Sequence, residues 1–225
     1  MENLIFNKDY FFHEKSLDKS FCFSKDHVSS RENNFKYVGS KLKPNANILE
    51  LGTFEGKSAL YFFYNFLSKE GSITTVDYKI NDNLKQNLKL LADETNFVFI
   101  KANFLKLIPN LLSENKKFDL VYIDGGKDSK MTIFQIVNVW EMLPIGGIMF
   151  MDDYTWRKKS SNEFLKNIRK FFRKILRKIG LLNFPLFNLP GNEPYIAINS
   201  FLKIYRGYYE VLFKNGQVAI IKIKN

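Results

Sequence analysis

Asn47-Ile48-Leu49-Glu50-Leu51-Gly52-Thr53-Phe54-Glu55-Gly56-Lys57-Ser58 is an apolar run that ends on an acid and opens into a glycine-spaced turn. It reads as a strand, a tight turn and the start of a helix. Gly52 and Gly56 let the backbone bend sharply and approach a ligand closely, and the first amides of the next helix then face outward as donors. A nucleotide-like ligand has a seat there. The same pattern also fits an ordinary strand-to-helix connection, so other stretches have to decide between the two. Thr53 to Glu55 separate the glycines, which departs from the G-x-G-x-x-G spacing of dinucleotide folds and disfavours a nicotinamide or flavin.

The stretch resembles motif I of the class I S-adenosylmethionine-dependent methyltransferases. That resemblance implies that Glu50 lies by the methionine end of the cofactor. It also implies that the turn Gly52, Thr53, Phe54 to Gly56 wraps the amino acid portion, with Ser58 nearby.

The rest of the chain sets the frame. Its 225 residues, 45% hydrophobic and 16% aromatic, suffice for one sizeable core. One cysteine, Cys22, excludes an intrachain disulfide and fits a reducing compartment, so a soluble cytoplasmic protein is expected. Glu2, Lys8 and Asp9 break any apolar signal core, and no uncharged run reaches the roughly 18 residues of a membrane span. The net charge of +11 is concentrated: Arg157 to Lys178 carries an excess of +9, leaving +2 for the remainder. A nearly neutral body bearing one cationic segment argues against a nucleic-acid partner.

Residues 1–45 read as a polar and aromatic arm or lid followed by a helix near Arg31 to Leu42, which Pro44 ends. From residue 46 onward short apolar runs alternate with helical segments, the pattern of a doubly wound α/β sheet. Strands are expected at Asn47, Ser72–Val76, Phe97–Lys101, Phe118–Ile123 and Ile148–Met151. Helices are expected at Lys57–Leu67, Leu84–Ala92, Met131–Leu143 and Tyr195–Tyr205. The first of these is aromatic around so much of its circumference that a partner subunit could cover part of it, and a homo-oligomer is expected. Tyr208–Phe213 and Gln217–Lys222 flank Asn215-Gly216 and predict an antiparallel hairpin. A mostly parallel seven-stranded sheet closed by such a hairpin is what the resemblance also implies.

Asp77 ends the second strand about 20 residues past the turn, where a carboxylate can take two ribose hydroxyls. The resemblance places Asn103 beside the adenine, although asparagine is equally a turn former. Asp124 ends the fourth strand and Asp152-Asp153 the fifth, so three carboxylates reach one edge and repel one another unless a cation or a proton intervenes. Asp124, Lys127, Asp152 and Asp153 resemble the metal-dependent O-methyltransferases, in which the first aspartate and the later acid pair hold a divalent cation such as Mg2+. The pair is aspartate-aspartate here, as in some sugar methyltransferases, where the catechol type has asparagine second. Many relatives with an Asp-Asp-Tyr strand end carry histidine near the Lys127 position, and no metal dependence follows for them.

Methyl transfer from a sulfonium requires alignment of the acceptor oxygen and removal of its proton. Lys127 is the first candidate base, with pairing to Asp124 or Asp128 as the structural alternative, and His27 is the second. The expected acceptor is a small hydroxylated molecule: a sugar, a nucleotide-linked sugar or a phenol. Nucleic-acid methylation through the basic segment and cofactor binding without turnover are the competing readings. The basic helical insertion, at about residues 157–192, contains at Glu163 to Lys178 a cationic amphipathic helix that would cap the pocket and attract an anionic acceptor, pack on the body, or touch anionic membrane.

Overall fold

The computed structural model describes residues 20–156 and 193–225, together with the backbone of Leu4–Ile5. The basic helical insertion expected at about 157–192, with its cationic helix at Glu163 to Lys178, and most of the expected arm lie outside the described residues. Strand β1 (Leu4–Ile5) pairs antiparallel with β2 (Cys22–Phe23), and a single 3-10 turn at Ser29–Arg31 leads into α1 (Glu32–Gly39). Then follow β3 (Asn47–Leu51), α2 (Lys57–Phe66), β4 (Ser72–Asp77), α3 (Asp82–Leu90), β5 (Phe97–Lys101), α4 (Phe104–Ser113) and β6 (Leu120–Ile123). The chain continues with α5 (Ser129–Trp140), β7 (Ile148–Met151), α6 (Pro194–Ile204), β8 (Tyr209–Lys214) and β9 (Val218–Lys222).

Seven strands form one sheet in the order β5-β4-β3-β6-β7-β9-β8. The first five are parallel, while β9 runs antiparallel to β7 and to β8. The doubly wound fold and its terminal hairpin are therefore as expected. The strands alternate strictly, so two cores form on opposite faces. Ile48, Ile73, Leu120, Tyr122, Ile148 and Phe150 face the layer of α1, α2 and α3, whereas Leu49, Leu51, Val121, Ile123, Met149 and Met151 face α4, α5 and α6.

Helix α2 is aromatic because the chain itself wraps it. Tyr61, Phe62, Phe63 and Tyr64 are all buried within the single chain, against Phe21, Phe35 and Phe97 among others. Phe35 of α1 is completely buried, and its ring sits 5.2–5.7 Å from those of Tyr61, Phe62, Tyr122 and Phe150. Truncating such a side chain to alanine costs about 3–5 kcal/mol, so α1 is firmly seated on the sheet. The segment before it, read from sequence as part of a polar and aromatic arm or lid, places Phe21, Phe23 and Val28 in the same core.

Helix α4 was not expected. Pro109 lies inside it, and proline inside a helical pattern reads as a break. Phe104, Ile108 and Leu111 nevertheless recur at helical spacing and are buried, and packing outweighs the lost hydrogen bond.

Candidate active site

The order of the strands places a crevice before any side chain is considered. Successive strands run outward from β3 through β4 to β5, and then from β6 to β7 on the other side. Beyond the carboxyl ends of β3 and β6 the connections diverge, and ligands of open α/β sheets bind at such a switch point. The glycine turn after β3 and the acid after β6 both lie there.

Glu50 is fully buried in β3, and its carboxyl accepts from the Ser58 hydroxyl on one oxygen and the Thr75 hydroxyl on the other. Burial pushes its pKa up, against those two hydrogen bonds and with help from Asp77, to about 7. Gly52 and Gly56 both have positive φ, at 109° and 84°, which satisfies the demand of the turn for glycine. Thr53 is buried on Thr75, with hydroxyls 2.6 Å apart. Phe54 is exposed at the tip of the turn with φ 51°, and its amide donates to Asp77 Oδ2 at 2.9 Å. The strand-end aspartate is thus tied to the turn 23 residues before it. Asn103 is exposed and caps α4, its Oδ1 accepting from Leu105 N at 2.9 Å.

A strap crosses over this turn. Ser24 donates through its amide and hydroxyl to Glu55, at 2.7 and 2.6 Å. Asn87 of α3 exchanges two hydrogen bonds with the Cys22 backbone and donates a third to the Glu55 carbonyl. Asp26 pairs with Lys57 of α2 at 2.7 Å. The result is to hold His27 with its ring 5.5 Å from that of Phe54, edge to face. Desolvation, reinforced by Lys127 and Lys25, lowers the His27 pKa below its ordinary value, so the imidazole is neutral at pH 7.

The three strand-end acids meet as expected, yet protein cations already attend two of them. Asp153, with φ 55°, pairs with Lys127 at 3.0 Å. Asp152 is buried and forms an ion pair with Arg31, while its Oδ2 accepts from the Tyr122 hydroxyl at 2.8 Å and the Gln217 amide at 3.0 Å. Asp124 is raised well above the carboxylate range, by burial first and then by Asp152 and Asp153. Among the described residues no group of three or more His, Cys, Asp or Glu side chains is disposed to hold a metal ion. For Lys127, partial burial opposes its charge, but the hydrogen bond to Asp153 and the three acids outweigh it and raise its pKa. The ammonium is therefore held protonated, which weakens the case for it as a base.

Arg31, Tyr122 and Gln217 were not singled out from the sequence. Tyr122 precedes Asp124 by two residues on β6, and Gln217 follows the hairpin turn, but their convergence on Asp152 depends on strand pairing. Arg31 also borders a cavity of about 520 Å³, lined by Ser29, Ser30, Glu32, Asn33, Asn34, Asn215 and Gly216.

Fold and strand ends together are similar to those of class I methyltransferase domains. Residues 49–154 match a family model described as a methyltransferase domain, which runs from within β3 to just past β7. A curated relative, the O-methyltransferase hkm8 of Aspergillus hancockii, is 30% identical over 118 residues, which is 48% of this chain and 43% of that protein. The chain therefore matches less than half the length of that relative. Among solved structures, the O-methyltransferase TomG of Streptomyces achromogenes, in complex with S-adenosylmethionine, superimposes with a TM-score of 0.60 at 14% identity. The alignment covers 88% of this chain and 82% of TomG. The MycE methyltransferase of the mycinamycin biosynthetic pathway, in complex with Mg and S-adenosylhomocysteine, aligns with a TM-score of 0.56 at 13% identity, over 86% of this chain and 49% of MycE. At such identities the likeness is one of fold.

Proposed function

We propose that the protein is an S-adenosylmethionine-dependent O-methyltransferase acting on a small, polar, hydroxylated acceptor. The observation that carries the reading is Glu50, buried beneath the glycine turn at the switch point and braced by Ser58 and Thr75. A carboxyl kept there at a cost in desolvation is suited to a cationic partner, and the methionine end of the cofactor has an ammonium to offer. Asp77 stands at the next strand end for the ribose, Asn103 for the adenine side, and Asp124 and Gly125 close the crevice opposite Gly52. The turn Gly52 to Gly56 holds the amino acid portion.

The acceptor belongs in the cavity beside Arg31. Its lining of hydroxyls, amides, one guanidinium and the Glu32 carboxylate suits a polyhydroxylated molecule such as a sugar better than a bare phenol. His27 takes the acceptor's proton. It is neutral, sits against the cofactor turn, and feels the charges of both Lys127 and Asp152. Lys127 keeps its proton and, with Arg31, balances the acid edge. A divalent ion does not fit this arrangement, because Asp152 and Asp153 are already paired with protein cations. No helix among the described residues is long and apolar enough to cross a membrane.

The test is transfer of a labelled methyl group from S-adenosylmethionine to a panel of sugars, nucleotide-linked sugars and phenols, with calorimetry of S-adenosylhomocysteine alongside. Binding of the product with no transfer to any hydroxyl would leave a cofactor-binding protein. Failure to bind it would end the reading.

A further inference from the structure

The acid edge at the ends of β6 and β7 carries its own cation, and the accounting at Asp152 is complete. An ionised carboxylate offers about four lone-pair sites, two on each oxygen. Asp152 Oδ1 accepts from Arg31 Nη1 and from the Asp153 amide at 2.5 Å. Its Oδ2 accepts from Tyr122 Oη at 2.8 Å and from Gln217 Nε2 at 3.0 Å. Gln217 is in turn fixed by Asn34, whose amide donates to its Oε1 at 2.9 Å. Every site is taken, and the donors come from the 3-10 turn before α1, from β6 and from the hairpin as well as from the next residue.

A divalent ion binds through free carboxylate oxygens. To reach Asp152 it would have to displace a guanidinium that is positioned by a helix anchored in the core through Phe35. A void of about 10 Å³ lies between Asp124, Thr132, Asp152, Asp153 and Pro194, so space for one small particle exists beside the acids. What a metal lacks there is a free oxygen of Asp152. We infer that Arg31 is the resident cation of this site, occupying the acid edge so that the protein works without a divalent ion. This rests on the methyltransferase reading. The side chain of Arg31 is 33% exposed and borders the acceptor cavity, so its charge also faces an incoming acceptor oxygen.

The experiment is titration of the full chain with Mn2+, followed by electron paramagnetic resonance, in the presence of S-adenosylhomocysteine. Calorimetry of that ligand is run on the same samples. Wild type is expected to leave the Mn2+ signal free through the millimolar range. Arg31→Ala should bind one equivalent at least about tenfold more tightly, because Oδ1 is released to the metal. Adding Asp152→Asn to Arg31→Ala should remove the gained site. Arg31→Gln, which keeps length and polarity, serves if the alanine variant melts early. Stoichiometric Mn2+ binding by wild type at micromolar concentration would overturn the inference, as would Arg31 variants that bind no better than wild type. Absence of heat with S-adenosylhomocysteine would fail the cofactor reading separately, whatever the Mn2+ result.

Discussion

The Gly52 Cα lies so close to the backbone of Asp124 that a Cβ placed on it would come within 2.6 Å of the Asp124 carbonyl carbon and oxygen. Two strand ends, those of β3 and β6, are brought together at a point where only glycine fits. The backbone also demands it, since Gly52 has φ 109°.

Gly52→Ala should therefore spread the crevice rather than merely crowd it. Backbone atoms cannot swing aside as a flexible side chain can. The expected loss is about 2–4 kcal/mol of stability, combining strain at positive φ with overpacking. Product binding should weaken by at least about tenfold, a change of about 1.4 kcal/mol. Gly146→Ala is the control, because that glycine shares the positive φ, 86°, but has nothing within 4 Å of its would-be Cβ. Denaturant melts and calorimetry of both variants separate strain from collision. If Gly52→Ala behaves like Gly146→Ala, the close approach has no role in shaping the site.

Glu50 predicts a pH dependence with a definite sign. In the free protein its pKa is about 7, against an ordinary 4.5. A cationic ammonium pairs only with the ionised form, so affinity for S-adenosylhomocysteine should rise up to about tenfold per unit from pH 5 to 7 and then level off. Proton release should appear as buffer-dependent heat. The same shift affects folding in the opposite sense: stability linked to Glu50 is full below pH 4.5 and is lost as pH rises through 7, about 3 kcal/mol in all. Glu50→Gln should then match or exceed wild type in stability at pH 8 while binding ligand poorly. Pairing by Glu50 is disproved if affinity is flat from pH 5 to 8.

His27 and Lys127 make opposite demands on the rate profile. With His27 as the base, kcat should reach its plateau below pH 7, because the pKa of the imidazole is lowered. With Lys127 as the base the rate would still climb beyond the ordinary lysine pKa of 10.5, because Asp153 and the other acids raise it. His27→Gln is expected to lower kcat about 100-fold while leaving calorimetric affinity for the product unchanged. Lys127→Met should affect the acid edge more than the slope of the profile. A rate that follows a strongly alkaline pKa would return the base to Lys127.

How much of this could be read beforehand follows from where each residue stands in the chain. Glu50, Gly52, Asp77, Asp124, Asp152 and Asp153 mark the ends of apolar strands, and a sheet carries its strand ends to one edge whatever the details of packing. Helix α4 was hidden by Pro109, although the buried spacing of Phe104, Ile108 and Leu111 was available. The cluster on Asp152 was hidden for a different reason. Arg31, Tyr122 and Gln217 are 121, 30 and 65 positions away from it, and each arrives through a different pairing or helix packing. Three carboxylates at one edge posed a charge problem that the sequence could state. It could not say whether a metal, a proton or an arginine solves it.

The pair Asp26–Lys57 decides whether His27 has a fixed address. Lys57 is the first residue of α2, and its side chain is only 5% exposed, so burial lowers its pKa even with Asp26 beside it. For Asp26, burial works against ionisation, but the hydrogen bond from Lys57 and those from Ser29 prevail and bring the pKa down to about 2. Since the ordinary value is 3.8, the contribution of Asp26 is full above pH 3.8 and is lost as pH falls through 2, about 2 kcal/mol. Asp26→Asn should cost more, about 3 kcal/mol at pH 7, because it removes the carboxylate charge from beside a buried ammonium. Urea unfolding at intervals from pH 7 to 2.5 measures this, and the gap between wild type and variant should narrow below pH 4. Replacing both partners, as Asp26→Asn with Lys57→Met, should recover much of the loss, because an apolar side chain at a site only 5% exposed carries no desolvation cost. Hydrogen exchange of residues 22–28 supplies the functional arm: in Asp26→Asn their protection should fall while that of β6 persists. A gap that stays constant down to pH 2.5, with unchanged exchange in the strap, would show that the pair holds neither Asp26 nor His27 in place.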